Sequence, residues 1–291
     1  MIEGMIQEGA LMEIEKRKLG KTRVSVAIVG LGGEGMLKTV GFENNPYVNP
    51  YKLINEAIDL GLNFFDSARA YSGSEAYYGG ALKERRKDVI LATKSLARTK
   101  DDALLDLDAS LKNLKTDYLD VWQVHNVKTY LDLERLSGHN GAIEAFSEAK
   151  RKGIVRFIGV TAHQSPSILK KSLELFDFDT VMLPVNPAES DYEGFMDVMS
   201  FARNKDTGII GMKIYFRALA ERLPSYKSMQ PLLRFALSHP ISTAVIGYGP
   251  QHHLAKNVEF ARAFTPMSEE EKEKLVKDVA PLAKWLTFYK S

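Results

Sequence analysis

The sequence contains no cysteine. Disulfides, thiolate nucleophiles, zinc–thiolate centres and cysteine-ligated iron–sulfur clusters are thereby excluded, and a reducing cytoplasm is the default expectation. Neither sign of charge dominates: 39 Lys and Arg face 37 Asp and Glu, a formal net charge of +2. That gives no electrostatic case for nucleic acid or an acidic membrane as partner. No apolar run is long enough to span a bilayer. Residues 1–11 lack the basic flank and apolar core of a signal peptide, and are expected to form a disordered or peripheral extension to one domain covering 12–291. There is no Pro/Gly/Ser-rich linker, internal repeat or low-complexity tract. No cluster has metal-ligand spacing, His252-His253 included, and no serine sits beside a histidine in a nucleophile motif.

What is present is a globular balance, 45% hydrophobic and 26% charged over 291 residues. Short apolar runs alternate with longer helical patterns, the signature of βα units around a parallel sheet. Strands are expected at Val26–Gly30, Asn63–Asp66, Val89–Lys94, Leu119–His125, Phe157–Thr161, Val181–Asn186, Ile209–Lys213 and Ala244–Gly247. Most are near-continuous apolar runs, as strands covered on both faces should be. Between them lie helical stripes, clearest in Leu104, Leu107, Leu111 and Leu114. Eight repeats in a chain of this length predict a (β/α)8 TIM barrel, an α/β fold. A doubly wound sheet is the alternative; Gly30–Gly35 is read as a tight loop rather than a dinucleotide turn. Glu13–Val26 is expected to form an N-terminal β-hairpin plugging the barrel bottom. Ser268–Tyr289 is expected to be an extra C-terminal helix, opened by a Ser268/Glu271 capping box and carrying a Leu275, Val279, Leu282, Leu286 stripe.

A barrel's site lies at the carboxyl ends of its strands. Here those ends are Asp66, Lys94, His125, Thr161, Asn186, Lys213 and Gly247. Singly, each has a plain structural explanation: a turn cap, a lysine reaching solvent, a satisfied interior histidine. Converging on one rim, they indicate a site. Tyr71 follows Asp66 by five residues. A tyrosine normally holds its proton to about pH 10, too tightly for acid catalysis near neutrality. A neighbouring ammonium stabilises the phenolate, and a carboxylate keeps that ammonium charged and oriented. Asp, Lys and Tyr are thus parts for a tuned proton donor, suited to carbonyl reduction.

Over roughly Met12 to Phe264 the chain resembles the aldo-keto reductases. Gly61-Leu62-Asn63-Phe64-Phe65-Asp66-Ser67-Ala68, continuing to Tyr71 and Ser74-Glu75, is similar to that family's Asp-to-Tyr signature. Asp117-Tyr118-Leu119-Asp120 leading to His125, Leu91-Ala92-Thr93-Lys94, and Gly153–Val160 resemble its next three strand approaches. The resemblance implies Tyr71 as general acid, Lys94 lowering its pKa, Asp66 pairing with Lys94, and His125 orienting the carbonyl or assisting proton transfer. It also implies a nicotinamide cofactor, NADPH or NADH, and an aldehyde or ketone substrate reduced to an alcohol. Thr161, Asn186, Lys213, Arg217, Gly247 and Asn257 are the cofactor-binding candidates.

The sequence departs from the family pattern in places. Ala162 stands where an Asn often follows Thr161, with His163 next. The Gly247–His253 loop lacks the cations that hold a 2′-phosphate, which leaves NADP preference open. Met212-Lys213-Ile214-Tyr215 replaces an aromatic-Ser-Pro run, and Tyr47, Tyr77, Trp122 and Trp285 are candidate pocket walls. Two other functions stay open: a Schiff-base lyase using Lys94 or Lys213, and a non-catalytic nicotinamide-binding regulatory subunit.

Overall fold

The computed structural model describes residues 13–34, 49–71, 73–189, 191–216, 228–247, 251–287 and 290. The extension at 1–11, Tyr47 and Arg217 lie outside them. A hairpin comes first: β1 (Lys16–Lys18) pairs antiparallel with β2 (Ser25–Ala27), Lys16 opposite Ala27. Its turn seals the amino end of the barrel, as expected. Leu19 and Val26 are fully buried among Phe64, Ala92, Val121, Met182, Ile210 and Val245, the inward-facing strand residues. Gly20 is required there: its φ is +51°, and a Cβ would lie 2.3 Å from the Gly208 backbone nitrogen.

Eight parallel strands form the closed barrel: β3 (Val29–Gly32), β4 (Phe64–Asp66), β5 (Ile90–Ser95), β6 (Leu119–Val124), β7 (Val155–Thr161), β8 (Thr180–Pro184), β9 (Gly208–Met212) and β10 (Thr243–Ile246), with β10 closing on β3. Around it run α1 (Pro50–Asp59), α2 (Ser74–Leu82), α3 (Lys100–Leu114), α4 (Tyr130–Ser137), α5 (Ala142–Arg151), α6 (Pro166–Leu175), α7 (Tyr192–Asn204), α8 (Gln230–Leu237) and α9 (Gln251–Arg262). This is the (β/α)8 barrel. No helix among the described residues is long and apolar enough to cross a membrane.

The other strands match the sequence reading to within one or two residues at each end, but two elements are divided where one was expected. The run Val26–Gly30 is two strands: the chain bends at Ile28, leaving Val26 in the hairpin while β3 begins at Val29. Gly30, Gly32 and Gly35 do fall at Gly-x-Gly-x-x-Gly spacing, but Gly30 and Gly32 lie inside β3 rather than in a tight loop. A Cβ on Gly30 would meet the Phe64 carbonyl oxygen at 2.8 Å, so the glycine is needed for strand packing. The C-terminal helix is also interrupted. α10 (Glu269–Val279) opens with the Ser268/Glu271 capping box, passes into a 3-10 turn at Ala280–Leu282, and resumes as α11 (Ala283–Leu286). Pro281 lacks the amide hydrogen that a continuous helix would use there. The apolar stripe survives the break: Leu275, Val279, Leu282 and Leu286 pack with Ala188, Phe216 and Leu232, beside the ends of β8 and β9.

The two-residue period of a strand sorts inward from outward side chains. Ala92 and Lys94 face in, Thr93 and Ser95 out; Val121 and Gln123 face in, Trp122 out. Trp122 is therefore core rather than pocket wall, stacked on Phe146 at 3.7 Å between sheet and α5. Tyr77 meets Tyr51 edge-on between α1 and α2, and Trp285 is 44% exposed. Asp120 is structural as well. Its buried carboxylate accepts from Arg86 at 2.8 Å, Arg156 at 2.5 Å and the Leu91 amide at 2.9 Å, tying β5 to β6.

Candidate active site

Asp66, at the end of β4, and Lys94, in β5, face the barrel interior and meet at its carboxyl mouth. Lys94 Nζ donates to Asp66 Oδ2 at 2.5 Å and to the Ser67 carbonyl at 2.7 Å. Both side chains are almost fully buried. Gln123 Nε2 donates to the other Asp66 oxygen at 3.2 Å. Burial pushes the Asp66 carboxyl above its ordinary range, opposed chiefly by the Lys94 ammonium.

The loop after β4 carries Tyr71 back over the mouth. Lys94 Nζ lies 5.0 Å from the centre of the Tyr71 ring. The loop is pinned by Ser67 and Arg69 amides donating to the Ala92 and Lys94 carbonyls, and by Ser74 N donating to the Tyr71 carbonyl. Behind it sits Glu75, 2% exposed. Its carboxylate accepts from Thr93 and Ser110 at 2.7 Å each, Arg69 at 2.9 Å and Asn113 at 3.2 Å. One acid thus joins loop, strand and α3.

His125 follows β6, and its ring stands perpendicular to that of Tyr71 with centres 5.9 Å apart. Burial, then the positive charge of Lys94, drives its pKa well below the ordinary value, so the imidazole is neutral near pH 7. Among the described residues its Nδ1 has no hydrogen-bond partner. Arg98 clamps the following turn, donating to the carbonyls of His125 and Asn126 while pairing with Asp132. Asn126 adopts a left-handed φ of +54°.

Of the remaining candidates, Thr161 ends β7, and Asn186 and Lys213 follow β8 and β9 at the same rim. Thr161 Oγ1 accepts from the Asn126 amide at 2.8 Å. Asn186 donates to the Lys213 carbonyl and accepts from the Ala188 amide. Lys213 pairs with Glu34 at 2.6 Å, and its charge reaches both Asp66 and His125. Asn257 accepts from the Tyr215 hydroxyl and donates to the His253 carbonyl at 2.7 Å. Gly247 is exposed at the end of β10. Among the described residues no group of three His, Asp or Glu could hold a metal.

Sequence reasoning assigned no part to Gln123, Glu75, Asn126 or Glu34. Gln123 was legible in principle, since it lies two residues before His125 and shares its face of β6. Glu34 gave no signal, being an acid in a glycine-rich segment with a partner 179 residues away.

A closed parallel barrel whose carboxyl mouth gathers Asp66, Tyr71, Lys94 and His125 has the layout of a barrel oxidoreductase. The chain belongs to the aldo/keto reductase family, whose model matches residues 29–215. It is 30% identical over 184 residues to the uncharacterized oxidoreductase YqkF of Bacillus subtilis, a match covering 58% of this chain and 56% of that protein. Across three curated relatives the matched share of the relative's length is 55% to 65%. The fold is similar to aldo-keto reductase AKR11C1 from Bacillus halodurans in its holo form, with a TM-score of 0.74, 22% identity, and coverage of 92% of this chain and 97% of that one. An aldo-keto reductase from Klebsiella pneumoniae in complex with NADPH aligns with a TM-score of 0.71 and 21% identity, covering 91% and 95%.

Proposed function

We propose that the protein reduces aldehyde or ketone carbonyls to alcohols with a nicotinamide cofactor, Tyr71 delivering the proton. The observation that carries this is the buried ammonium of Lys94, held by Asp66 at 2.5 Å and lying 5.0 Å from the Tyr71 ring. A cation beside a phenol favours the phenolate, which makes the hydroxyl a better acid as negative charge grows on the carbonyl oxygen. Asp66 fixes where that cation sits, and Gln123 fixes Asp66. His125, neutral, orients the carbonyl: a neutral imidazole donates from one nitrogen only. With no acceptor at Nδ1 among the described residues, the useful donor is Nε2.

The donor set at the rim fits a nicotinamide dinucleotide. Asn186 and Thr161 offer an amide and a hydroxyl for a carboxamide, and Lys213 offers an ammonium for a diphosphate, with Gly247 and Asn257 at the outer end. Arg217, outside the described residues, belongs to the same set by its place after β9. When bound, the dinucleotide supplies the hydride. The Klebsiella relative's complex with NADPH supports NADPH as the first cofactor to try, with NADH beside it because Gly247–His253 contains no Lys or Arg.

The lyase reading fares worse. A Schiff-base lysine must present a neutral amine, whereas Lys94 is bonded to a carboxylate and a carbonyl and Lys213 is paired with Glu34. The test is transfer of deuterium from labelled NADPH to an aldehyde panel, with titration of NADPH and NADH by fluorescence. Deuterated alcohol is the expected product. Cofactor binding without transfer to any carbonyl would instead mark a regulatory subunit, and substrate trapped on lysine by borohydride a lyase.

A further inference from the structure

His125 lacks the usual means of fixing an imidazole. A functional histidine is commonly oriented by a hydrogen bond at the ring nitrogen that does not do the work. Here Nδ1 is buried with no partner among the described residues, so no hydrogen bond there fixes the ring. Its direction must come from its neighbours and its own main chain. Tyr71 meets it edge-on, but Tyr71 itself stands on a loop. The main chain is held more firmly. The His125 amide donates to the Ser95 carbonyl at 2.8 Å, and the Asn126 amide donates to Thr161 Oγ1 at 2.8 Å.

The carbonyls of these two residues converge on one nitrogen. Arg98 Nη2 donates to the His125 carbonyl at 3.0 Å and to the Asn126 carbonyl at 3.1 Å. The left-handed φ of Asn126, +54°, accompanies this turn. The other donors of Arg98 anchor it. Nε donates to Asp132 Oδ1 at 3.0 Å, and Nη1 to the carbonyls of Leu96 at 3.0 Å and Ala97 at 3.4 Å. Each N–H of the guanidinium therefore has an acceptor. Asp132 is fixed in turn by the Lys128 and Thr129 amides, in the capping box that opens α4. The Arg98 carbonyl accepts from the Ala142 amide at 3.1 Å, the first residue of α5.

We propose that Arg98 is a positioning residue: anchored on the starts of α4 and α5, it fixes the His125–Asn126 turn and thereby aims the His125 ring at the reacting carbonyl. This rests on the carbonyl-reductase reading above. Arg98 acts through His125. Donation to the carbonyl strengthens as negative charge grows on its oxygen, so a misdirected ring lowers the rate of the chemical step more than it weakens binding. A displacement on the order of 1 Å is enough to cost about a hundredfold. The Arg98 charge also joins burial, Lys94, His163 and Lys213 in keeping the ring neutral. Lysine is a poor substitute, because its ammonium has fewer donors and no planar fork.

Two measurements test it. Hydride transfer from NADPH to an aldehyde panel is followed in single turnovers for the wild type, Arg98→Met, His125→Asn and the double variant. Arg98→Met should slow transfer by about ten- to a hundredfold while NADPH affinity stays within about twofold, and Arg98→Lys should fall between. In the His125→Asn background the same change should slow transfer by less than about threefold, because the residue it acts through is gone. Its effect on the urea midpoint should be the same in both backgrounds, since the main-chain carbonyls and Asp132 are still there. Equal slowing with and without His125, or wild-type transfer in Arg98→Met, overturns the proposal.

The second readout needs no turnover. With histidine and tyrosine selectively labelled, the wild type should show a nuclear Overhauser contact between the His125 and Tyr71 rings, which meet edge-on. Arg98→Met should weaken that contact while the edge-on pair Tyr192 and His239, between α7 and the end of α8, keeps its own. An unchanged His125–Tyr71 contact overturns the proposal. If Arg98→Met does not fold, Asp132→Asn loosens the anchor while keeping an oxygen for the α4 cap, and the same two outcomes decide. If the wild type reduces no carbonyl, the reductase reading fails, and the ring contact alone decides whether Arg98 positions His125.

Discussion

Lys213 Nζ lies 2.6 Å from Glu34 Oε2, joining the residue after β9 to the turn after β3 across the end of β10. The lysine side chain is 7% exposed and its backbone φ is +58°. Removing one partner of such a pair leaves the other charge poorly solvated. If Lys213 serves a diphosphate, the two partners should separate on mutation. Lys213→Met is expected to weaken NADPH binding about tenfold, or ~1.4 kcal/mol. Glu34→Gln removes the carboxylate that competes with a diphosphate for Lys213 and should leave binding as tight or tighter. Fluorescence titration checks both, and equal losses in the two variants would make the pair purely structural.

Glu75 takes four donors inside the protein, from Arg69, Thr93, Ser110 and Asn113. Glu75→Ala strands all four, and the expected cost is about 3–5 kcal/mol by urea denaturation, the scale for breaking a buried ionic network. Glu75→Gln keeps an acceptor and should cost less. Because Arg69 lies between Asp66 and Tyr71, kcat should fall in both variants. A stability loss below about 1 kcal/mol for Glu75→Ala would show that solvent replaces the network.

The histidines set an acid limit on stability. Burial lowers the folded pKa of both His125 and His239. Below about pH 6.5 the unfolded chain takes up protons that the native rings refuse. Stability therefore rises with pH between the lowered native values and about 6.5, and is lost as pH falls through that window. The slope is at most about 1.4 kcal/mol per pH unit for each ring. Asp66, shifted upward, acts oppositely, in the window that opens at the ordinary carboxylate value and extends upward from it. Urea midpoints from pH 7.5 to 5.0 should fall in the wild type and fall less steeply in His125→Asn. Parallel profiles would show that His125 is protonated when folded.

The barrel was legible because its strands, buried on both faces, are short apolar runs, each ending at or within two residues of a polar or small residue. The bend at Ile28 was not, since Val26, Ala27, Ile28 and Val29 are all fully buried and no change of pattern marks where hairpin ends and barrel begins. The break at Pro281 was written in the sequence. Asp66, Lys94 and His125 could be proposed from the alternation that sends them inward. The contact of His163 with Asn126 could not, because the two lie 37 residues apart in sequence. Glu75 was visible as part of a motif, but its four donors come from a loop, a strand and a helix that only folding assembles.

Turnover by Tyr71→Phe tests the central claim most directly. The hydroxyl acts chiefly as charge develops on the carbonyl oxygen, and the phenyl ring can still meet His125 edge-on. NADPH affinity should stay within about twofold of the wild type while kcat for carbonyl reduction falls at least about a hundredfold, the low end for losing a general acid. Most of the turnover retained with normal cofactor affinity would contradict the account, as would loss of cofactor binding and stability together.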